Sequence, residues 1–237
     1  MPAPYRPYIL NEIGQETEDT RLFVFTPADG QPVPAFKAGQ FFMIRITDVP
    51  GLKPPMRSYS AARAFTPDKV QFGIKLHTGF TIGLFGKKEG DKLEISGPYG
   101  FFTLAENSAP IVLLAAGIGV TPLLCMAEEL AQQQDGRKLQ VFYSNRHEND
   151  RPFHAQLAEF ESQNPNMELV ETLTGEDVPA GWPGEKGRIS KELLDKHGVD
   201  FSASHFYFCG PKAFNDAMQA MLEGAGVAKE RIHKENW

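Results

Sequence analysis

The sequence contains few cysteines. Only Cys125 and Cys209 occur in 237 residues, which is too few for a disulfide framework or for a zinc or iron–sulfur site with four thiolates. The six histidines show no ligand spacing with cysteines or acids, so no metal site is predicted. This use of cysteine favours a reducing compartment, and we expect a cytoplasmic protein.

Long apolar runs are also missing. The longest candidate, Ile111 to Ala116, has six residues before Gly117, whereas a membrane-spanning helix needs roughly 18. The opening segment, Met1 to Arg6, lacks the basic-then-apolar order of a secretory signal. Neither a membrane span nor a signal peptide is therefore expected.

Positive charge is in short supply, and the net charge is unevenly distributed. The net charge of −6 argues against nucleic-acid binding. Residues 1–106 hold 12 Lys and Arg against 11 Asp and Glu, a net of +1, whereas residues 107–237 hold 12 against 19, a net of −7. With 41% hydrophobic and 23% charged residues, the chain has an ordinary globular composition. These figures predict two domains that meet in the polar stretch Glu106–Ala109.

Short apolar segments divided by glycine turns make up the front half. β-Branched and aromatic residues alternate partially in four segments, namely Phe23–Phe25, Gln40–Ile46, Val70–Leu76 and Lys92–Ile95. The only helix candidate is short, at Thr81–Gly86. This pattern predicts a small antiparallel β-barrel.

Strand and helix patterns alternate in the back half. Strands are predicted at Pro110–Ala116, Leu139–Ser144, Met167–Thr172 and His205–Cys209, and helices at Thr121–Gln134, Phe153–Gln163 and Pro211–Leu222. A repeated β-α order predicts a doubly wound parallel sheet. The fold class is therefore a two-domain β plus α/β protein.

A glycine turn follows the first strand of the back half. Gly117 and Gly119 precede Thr121 and Pro122, and two glycines at a helix start allow close approach of the backbone to a phosphate. The turn lacks the full dinucleotide fingerprint. A tight turn of any α/β domain is an equally good interpretation.

Polar residues close two further strands of the back half. Asn145 can bind a ribose hydroxyl, and Arg146 can meet a 2′-phosphate or stack on adenine, because the adenosine ribose lies at the end of the second strand in dinucleotide folds. A solvated arginine is the alternative. Cys209 is followed by Gly210 and Pro211, which remove bulk and an N–H group as a stacking ring would need; a small core cysteine is the alternative.

One short segment of the front half combines three kinds of side chain. Arg57 offers a charge for phosphate, Tyr59 a flat ring, and Ser58 and Ser60 hydroxyl groups. On a strand, Arg57 and Tyr59 point one way and the two serines the other. Such a segment can hold a ligand that is both anionic and aromatic, although a barrel strand with a surface arginine would look the same.

Taken in order, these motifs resemble the ferredoxin–NADP reductase family. The five motifs are Arg57–Ser60, Gly97–Gly100, Gly117–Pro122, Cys209–Pro211 and Glu235–Trp237, and they cover almost the entire chain. The resemblance implies an FAD-binding β-barrel domain over residues 1–106 and an NAD(P)-binding α/β domain over residues 107–237. It also implies an enzyme in which hydride passes from NAD(P)H to bound FAD.

On the flavin side, the resemblance implies roles for individual residues. Arg57 would contact the flavin phosphates, with Ser58 beside it, Tyr59 would stack on the isoalloxazine, and Ser60 would hydrogen-bond flavin N5. Further cofactor contacts would come from Ile74, Lys75, Leu76, Gly79, Phe80 and Thr81. The chain departs from the family pattern here, because Thr78 stands where the first glycine of a Gly-x-x-Ser turn belongs and Gly79 comes one position late.

On the nicotinamide side, the resemblance places Cys209 near nicotinamide C4. Glu235 would orient the nicotinamide or relay protons, and Trp237 would cover the other face of the flavin. The remaining nucleotide contacts are implied for Gly117, Gly119, Thr121, Asn145, Arg146, Gly210 and Pro211. Ser60, Cys209, Glu235 and Trp237 are thus the expected catalytic residues.

Charged residues and the cysteine count bear on the choice of nucleotide and of electron acceptor. Arg146 favours NADPH, but the third strand ends in the acidic segment Glu171–Glu176 without an arginine, which favours NADH slightly. With two cysteines, no attached plant-type iron–sulfur domain is expected. Single electrons would then go to a separate carrier protein, that is, a ferredoxin, a flavodoxin or a haem protein.

Lys87 and Lys88 are the first candidates for docking an acidic carrier, and ordinary solvated lysines are the alternative. Two further interpretations of the chain stay open. One is an NAD(P)H:flavin reductase or diaphorase with a small-molecule acceptor, and the other is a non-catalytic subunit that binds nucleotide.

Overall fold

The computed structural model describes residues 3–77, 79–134 and 136–236. The chain folds into two compact units, and the division falls between Thr103 and Leu104. The first unit is an antiparallel β structure, and the second is a parallel sheet with helices, so the predicted two-domain fold class is confirmed.

In the described part of the first unit, six strands form one antiparallel sheet in the order β4-β3-β6-β1-β2-β5. The strands are β1 (Arg6–Thr17), β2 (Thr20–Pro27), β3 (Phe41–Arg45), β4 (Met56–Ser60), β5 (Val70–Lys75) and β6 (Lys92–Tyr99), and the short helix α1 (Phe80–Phe85) lies between β5 and β6 in the chain.

The sheet of the first unit curls into a barrel. Its two edge strands, β4 and β5, are joined just beyond the end of β4, where the Ala62 N–H donates to the Gln71 carbonyl at 2.9 Å. Aromatic rings fill the interior: Phe72 lies 5.8 Å from Phe42 and 6.0 Å from Phe25 between ring centroids. Strand β4 borders this aromatic core, while its own polar side chains are exposed or half-buried.

Strand β1 is a long element that the alternation of apolar residues did not predict. Tyr8 and Leu10 are buried, but the pairing with β2 shifts register between Leu10 and Glu12 and again between Gln15 and Thr17. Each β-bulge moves the following side chains to the other face of the strand. The apolar residues therefore lose the period of two by which a strand is recognised.

Six parallel strands are described in the second unit, in the order β10-β9-β8-β7-β11-β12. The strands are β7 (Ile111–Ala116), β8 (Leu139–Asn145), β9 (Met167–Leu173), β10 (Glu185–Lys186), β11 (His205–Cys209) and β12 (Ile232–Glu235), and the helices are α2 (Val120–Gln133), α3 (His154–Gln163), α4 (Lys191–Lys196) and α5 (Lys212–Gly224).

Strand order determines where this unit can bind a ligand. From β7 the chain runs outward through β8 and β9 to β10, and it then returns to β11 on the other side of β7. The carboxyl ends of β7 and β11 are thus neighbours at the point where the order reverses. Open α/β sheets bind ligands in the crevice outside such a point.

Three elements of the second unit were not predicted, namely β10, α4 and β12. Strand β12 has the polar sequence Ile-His-Lys-Glu, and it exists because it pairs with the buried strand β11, with Cys209 opposite Glu235. Helix α4 is stabilised at its start, where the Leu193 N–H donates to Ser190 Oγ at 3.3 Å. Within the described segments, no helix is long and apolar enough to cross a membrane.

Candidate functional site

Strand β4 carries the polar residues of the first unit. Arg57 and Ser58 are exposed, and Tyr59 and Ser60 are half-buried. Pairing with β3 fixes this strand, with Arg57 opposite Ile44 and Tyr59 opposite Phe42. The Arg57 guanidinium makes no ion pair with any residue that the structure describes, so its charge is available to an anionic ligand.

The Tyr59 ring has a rigid support. Its centroid lies 6.0 Å from that of Phe80, with 35° between the ring planes, and Phe80 is itself buried. Burial raises the pKa of the Tyr59 hydroxyl, and the nearby Arg57 opposes this only in part. Tyr59 therefore offers a neutral flat face at physiological pH, and Phe80 supports that ring from the interior.

The turn from β5 into α1 has a defined geometry. Gly79 has φ +55°, a conformation that favours glycine, and Thr81 Oγ1 accepts a hydrogen bond from the His77 N–H at 2.8 Å. Just before the turn, Ile74 is buried. Lys75 Nζ lies 3.0 Å from the Asp19 carboxylate, and Leu76 is exposed. Ile74 can therefore offer only its backbone to a ligand, while the charge of Lys75 is paired.

In the second unit, the structure requires glycine at positions 117 and 119 for different reasons. Gly117 has φ +53°, and a Cβ there would meet nothing within 4 Å, so this stretch of backbone is open to a ligand. A Cβ on Gly119 would lie 2.6 Å from the carbonyl carbon of Cys209. Gly119 thus allows β11 to pack against the turn, which is a reason other than the phosphate contact that the sequence suggested.

Thr121 lies just after this turn and is buried. Its hydroxyl donates to the Ile118 carbonyl at 3.1 Å. That hydrogen bond ties the first turn of α2 to the glycine segment, so Thr121 stabilises the shape of the turn. The hydroxyl oxygen keeps its capacity to accept.

Cys209 ends β11, between Ala115 of β7 and Glu235 of β12 in the register of the sheet. Both Cys209 and Cys125 are buried, and neither forms a disulfide. After Cys209, a Cβ on Gly210 would lie 2.6 Å from the Phe214 ring and 3.0 Å from Ala116 Cβ. The missing side chain of Gly210 is therefore explained by packing within the protein. Pro211 precedes α5 as its N-cap.

Glu235 is half-buried at the end of β12. Burial raises the pKa of its carboxyl group, and the Asn236 N–H opposes this shift. The backbone carbonyl of Glu235 accepts a hydrogen bond from Asn215 Nδ2 at 2.8 Å. Sequence reasoning missed Asn215, although an asparagine on the apolar side of a helix was a signal. The prediction for Trp237, like the remark on Thr78, lies outside the described residues.

Asn145 and Arg146 follow one another at the end of β8 but differ in environment. Asn145 is 5% exposed, and both polar atoms of its side chain are buried without a hydrogen-bond partner among the described residues. Such unmet capacity destabilises a protein unless a ligand or water satisfies it. Arg146 is exposed.

A second arginine near the end of β8 escaped sequence reasoning. Arg151 Nη1 lies 2.5 Å from Glu171 Oε2, and both side chains are largely buried. The guanidinium also lies 4.7 Å from the centroid of the Trp182 ring. The charge of Arg151 is thus neutralised inside the protein, which bears on the choice of nucleotide.

Comparison with known proteins finds relatives with a nicotinamide-nucleotide domain. Residues 113–220 match the family model described as the oxidoreductase NAD-binding domain. A flavohemoprotein of Chromobacterium violaceum is 30% identical over 246 residues, which cover 98% of this chain and 60% of that protein. One from Deinococcus radiodurans is 28% identical over 240 residues, covering 98% and 59%. The chain therefore spans about 60% of the length of the curated relatives it matches.

Solved structures give the same result. The FAD/NAD-binding domain of nitric oxide dioxygenase from Vibrio cholerae has a TM-score of 0.88 at 24% identity and covers 98% of each chain, which establishes the fold. Flavohemoglobin from Malassezia yamatoensis, solved with FAD and haem, has a TM-score of 0.84 at 28% identity and covers 98% of this chain and 59% of that one. The predicted resemblance to the ferredoxin–NADP reductase family is therefore confirmed, since the matched domain model and the similar structures are FAD/NAD-binding domains of this type.

Ferredoxin–NADP reductase-like proteins are FAD-containing oxidoreductases that use NAD(P)H, so the predicted family, enzyme class and cofactors are confirmed. The described residues fit both cofactors. Arg57 offers an unpaired charge and Tyr59 a flat ring for FAD, while the open backbone at Gly117 and the unpartnered amide of Asn145 suit a dinucleotide. The roles of individual residues stay predictions.

The predicted docking pair Lys87–Lys88 of this reductase needs a correction. Lys87 is 8% exposed, and its Nζ lies 2.5 Å from Asp48 Oδ1. Both interpretations of Lys87, a docking residue for an acidic carrier and an ordinary solvated lysine, are therefore wrong, because its ammonium group is buried and paired. Lys88 is exposed.

Proposed function

We propose that the chain takes hydride from NADH and delivers electrons singly to a haem-containing acceptor. The observation that carries this proposal is the meeting of the Gly117 turn, Cys209 and Glu235 at adjacent carboxyl ends of β7, β11 and β12. FAD, when bound, supplies the conversion from a two-electron donor to a one-electron acceptor.

On the flavin side, residues of β4 bind and orient the cofactor. Arg57 pairs with the diphosphate, and Ser58 lies beside it on the same exposed strand. Tyr59, supported by Phe80, provides the stacking surface, and the Ser60 hydroxyl donates a hydrogen bond to flavin N5. Gly79 and Thr81 shape the turn that faces the phosphates.

On the nicotinamide side, the sheet edge holds the reacting ring. Cys209 presents a small uncharged side chain, which the strand register places between Ala115 and Glu235. The Glu235 carboxyl, whose pKa is raised by burial, orients the carboxamide or relays protons. The backbone at Gly117 approaches the diphosphate of the nucleotide.

NADH is the proposed donor. A 2′-phosphate needs compensating cations when it leaves water. Arg151 is neutralised by Glu171, so Arg146 is the cation at the end of β8 that is left to offer such compensation. A single exposed guanidinium favours the ribose hydroxyl of NADH over the phosphate of NADPH.

A haem acceptor is favoured over a ferredoxin or a flavodoxin by the relatives. The matched proteins of Chromobacterium violaceum and Deinococcus radiodurans are flavohemoproteins, and the Malassezia yamatoensis structure contains FAD and haem. Related reductases pass electrons to haem or iron-containing partners, and haem is the acceptor that these names favour. The cytoplasmic location stays a prediction.

An anaerobic titration tests the proposal. Purified protein loaded with FAD is titrated with NADH and, separately, with NADPH, and the flavin absorbance is followed. We expect NADH to bleach the flavin bands faster. Protein that binds no FAD, or flavin that neither nucleotide bleaches, would overturn the proposal.

The acceptor is tested with the reduced protein under the same conditions. Ferric globin, oxidised ferredoxin, oxidised flavodoxin and free flavin are offered in turn, and we expect the globin to be reduced fastest. Loss of FAD on gel filtration, together with preferred reduction of free flavin, would instead establish a flavin reductase.

A further inference from the structure

Helix α5 has a polar residue on its buried side. Three of its side chains are buried at the spacing i, i+3, i+7, namely Asn215, Met218 and Leu222. Met218 and Leu222 belong to the hydrophobic core of the second unit. An amphipathic helix places apolar residues along such a stripe. Asn215, 4% exposed, therefore occupies a position where packing favours a hydrocarbon.

The contacts of Asn215 do not explain it as a stabilising residue of the helix. Its Nδ2 donates to the Glu235 carbonyl at 2.8 Å and lies 3.3 Å from Asn236 Oδ1. Its Oδ1 is buried without a hydrogen-bond partner in the described part of the chain. A buried acceptor without a donor destabilises the fold. A residue that breaks the local rule in this way is commonly kept for a functional reason.

Asn215 connects the start of α5 to the end of β12. Its own N–H donates to the Pro211 carbonyl at 3.0 Å, so it is fixed one helical turn after the Cys209–Pro211 motif. Its side chain holds Glu235, which lies opposite Cys209 in the parallel register. Strand β12 is an edge strand of four residues with β11 as its only neighbour in the sheet order. The amide therefore supplies a second point of attachment where the strand ends.

We propose that Asn215 is a positioning residue that holds the end of β12 against α5, so that the Glu235 carboxyl stays beside Cys209 when the nicotinamide reacts. This inference rests on the proposed function, since Glu235 matters only if hydride transfer occurs at this edge. Asn215 acts by attaching the end of β12 to α5, and it contacts neither cofactor nor substrate.

The first experiment measures the attachment itself, without any nucleotide. Hydrogen–deuterium exchange is compared between wild type, Asn215→Leu and the control Gln219→Leu, which also replaces a side-chain amide by leucine on the same helix, at an amide that bonds Glu223. In Asn215→Leu, amides of residues 232–237 should exchange about five- to tenfold faster, as expected for one lost hydrogen bond. Exchange equal to that of the control would overturn the attachment.

The second experiment asks whether Asn215 acts through the Glu235 carboxyl. The rate of flavin reduction by NADH is measured in a double-mutant cycle of Asn215→Leu and Glu235→Gln. Asn215→Leu should slow reduction about tenfold or more through loss of orientation. On the Glu235→Gln background it should cost less than about twofold, because the group it positions has been changed. The same loss on both backgrounds would overturn the proposal.

Leucine suits the apolar stripe, so Asn215→Leu should unfold at or above the wild-type temperature while reacting more slowly. Asn215→Asp is the second variant: it keeps the size but replaces the donor by an acceptor, and it should reproduce the kinetic defect. A wild type that neither nucleotide reduces would overturn the proposed function and the catalytic part of this inference, whereas the exchange data would still decide the attachment.

Discussion

The guanidinium of Arg151 and the carboxylate of Glu171 form a largely buried ion pair, with 2.5 Å between Nη1 and Oε2. Arg151 is thereby neutralised close to the end of β8, and it also contacts Glu148 and the face of Trp182. A buried pair of this kind adds little to stability, since desolvation offsets the attraction. Its consequence for function is that one of the arginines in this region is not available to a phosphate.

Removing the carboxylate should change the nucleotide preference. Glu171→Gln removes the closer of the two carboxylates that pair with Arg151 and makes more of its charge available to a 2′-phosphate. We expect kcat/KM for NADPH relative to NADH to rise about tenfold, the effect of one added charge contact of about 1.4 kcal/mol. Steady-state kinetics with both nucleotides measures it. Glu176→Gln, an exposed acid of the same region, is the control, and an unchanged ratio in Glu171→Gln would contradict the role given to the pair.

Arg57 should dominate the affinity for FAD. Arg57→Gln removes an exposed charge that has no ion-pair partner among the described residues, so little stability is lost and the effect falls on the ligand. The dissociation constant of FAD should rise about tenfold to hundredfold, since charged hydrogen bonds are worth about 1.5–3 kcal/mol. Fluorescence titration of the FAD-free protein measures this, with Lys88→Gln as the matched loss of charge. Equal affinities in the two variants would remove Arg57 from the site.

The two glycines of the phosphate turn should respond differently to alanine. At Gly119 a Cβ clashes with the Cys209 backbone, and the free energy of unfolding should fall by about 3 kcal/mol. At Gly117 the space is open, and only the left-handed φ is strained, at about 1 kcal/mol. Denaturant unfolding distinguishes the two. If Gly117→Ala proved the more destabilising change, the assigned packing of this turn would be incorrect.

A pair of stacked histidines lies at the beginning of β11 and β12. His205 Nδ1 and His233 Nε2 are 3.0 Å apart, and Asn107 Nδ2 lies 3.1 Å from His205 Nε2. The Asn107 amide oxygen accepts the Ala109 N–H, so the amide nitrogen faces His205. Asn107 therefore donates to His205, and His205 donates to His233, which requires both rings to be neutral.

This pair should make stability depend on pH. Burial, followed by the neighbouring His205, lowers the pKa of His233 to about 4, and burial with nearby arginines lowers that of His205. As pH falls from about 6.5 towards 4, the unfolded chain binds protons that the folded chain does not, so stability decreases, by about 1 to 2 kcal/mol, and then levels off.

Denaturant unfolding between pH 4 and pH 8 measures this dependence. His233→Phe keeps a ring next to Tyr207 and should flatten the curve, whereas His154→Phe, at an exposed position of α3, should leave it unchanged. A curve for His233→Phe as steep as that of wild type would assign the pH dependence to other groups.

How far the sequence predicts the fold depends on whether burial follows a simple period. Strands β7 and β8 are buried along nearly their whole length and rich in apolar residues because both faces of the sheet are covered, and they were predicted within a residue of their bounds. Strand β1 was missed because its two bulges break the alternation, and β12 was missed because its polar residues take their conformation from β11.

The residues of the candidate site also divide into those that the sequence predicts and those that it does not. Motifs contiguous in the chain, such as Arg57–Ser60, could be found from the sequence, because their residue types suit a cofactor. Contacts between distant positions could not: Asn215 with Glu235, Arg151 with Glu171, and Lys87 with Asp48 each join residues 20 or more positions apart. Only folding brings such pairs together, and the pair at Lys87 reversed the interpretation of an apparently solvated lysine.

The close packing of Gly119 on Cys209 limits how this protein can vary. The glycine turn has no room for even a methyl group between itself and the end of β11. Substitutions at positions 119, 209 and 210 should therefore depend on one another. A homologue that replaces Gly119 should carry a compensating change in the Cys-Gly-Pro segment. Laboratory evolution of nucleotide preference should therefore find tolerated substitutions around Arg146 and Glu171 long before it finds any at positions 119, 209 and 210.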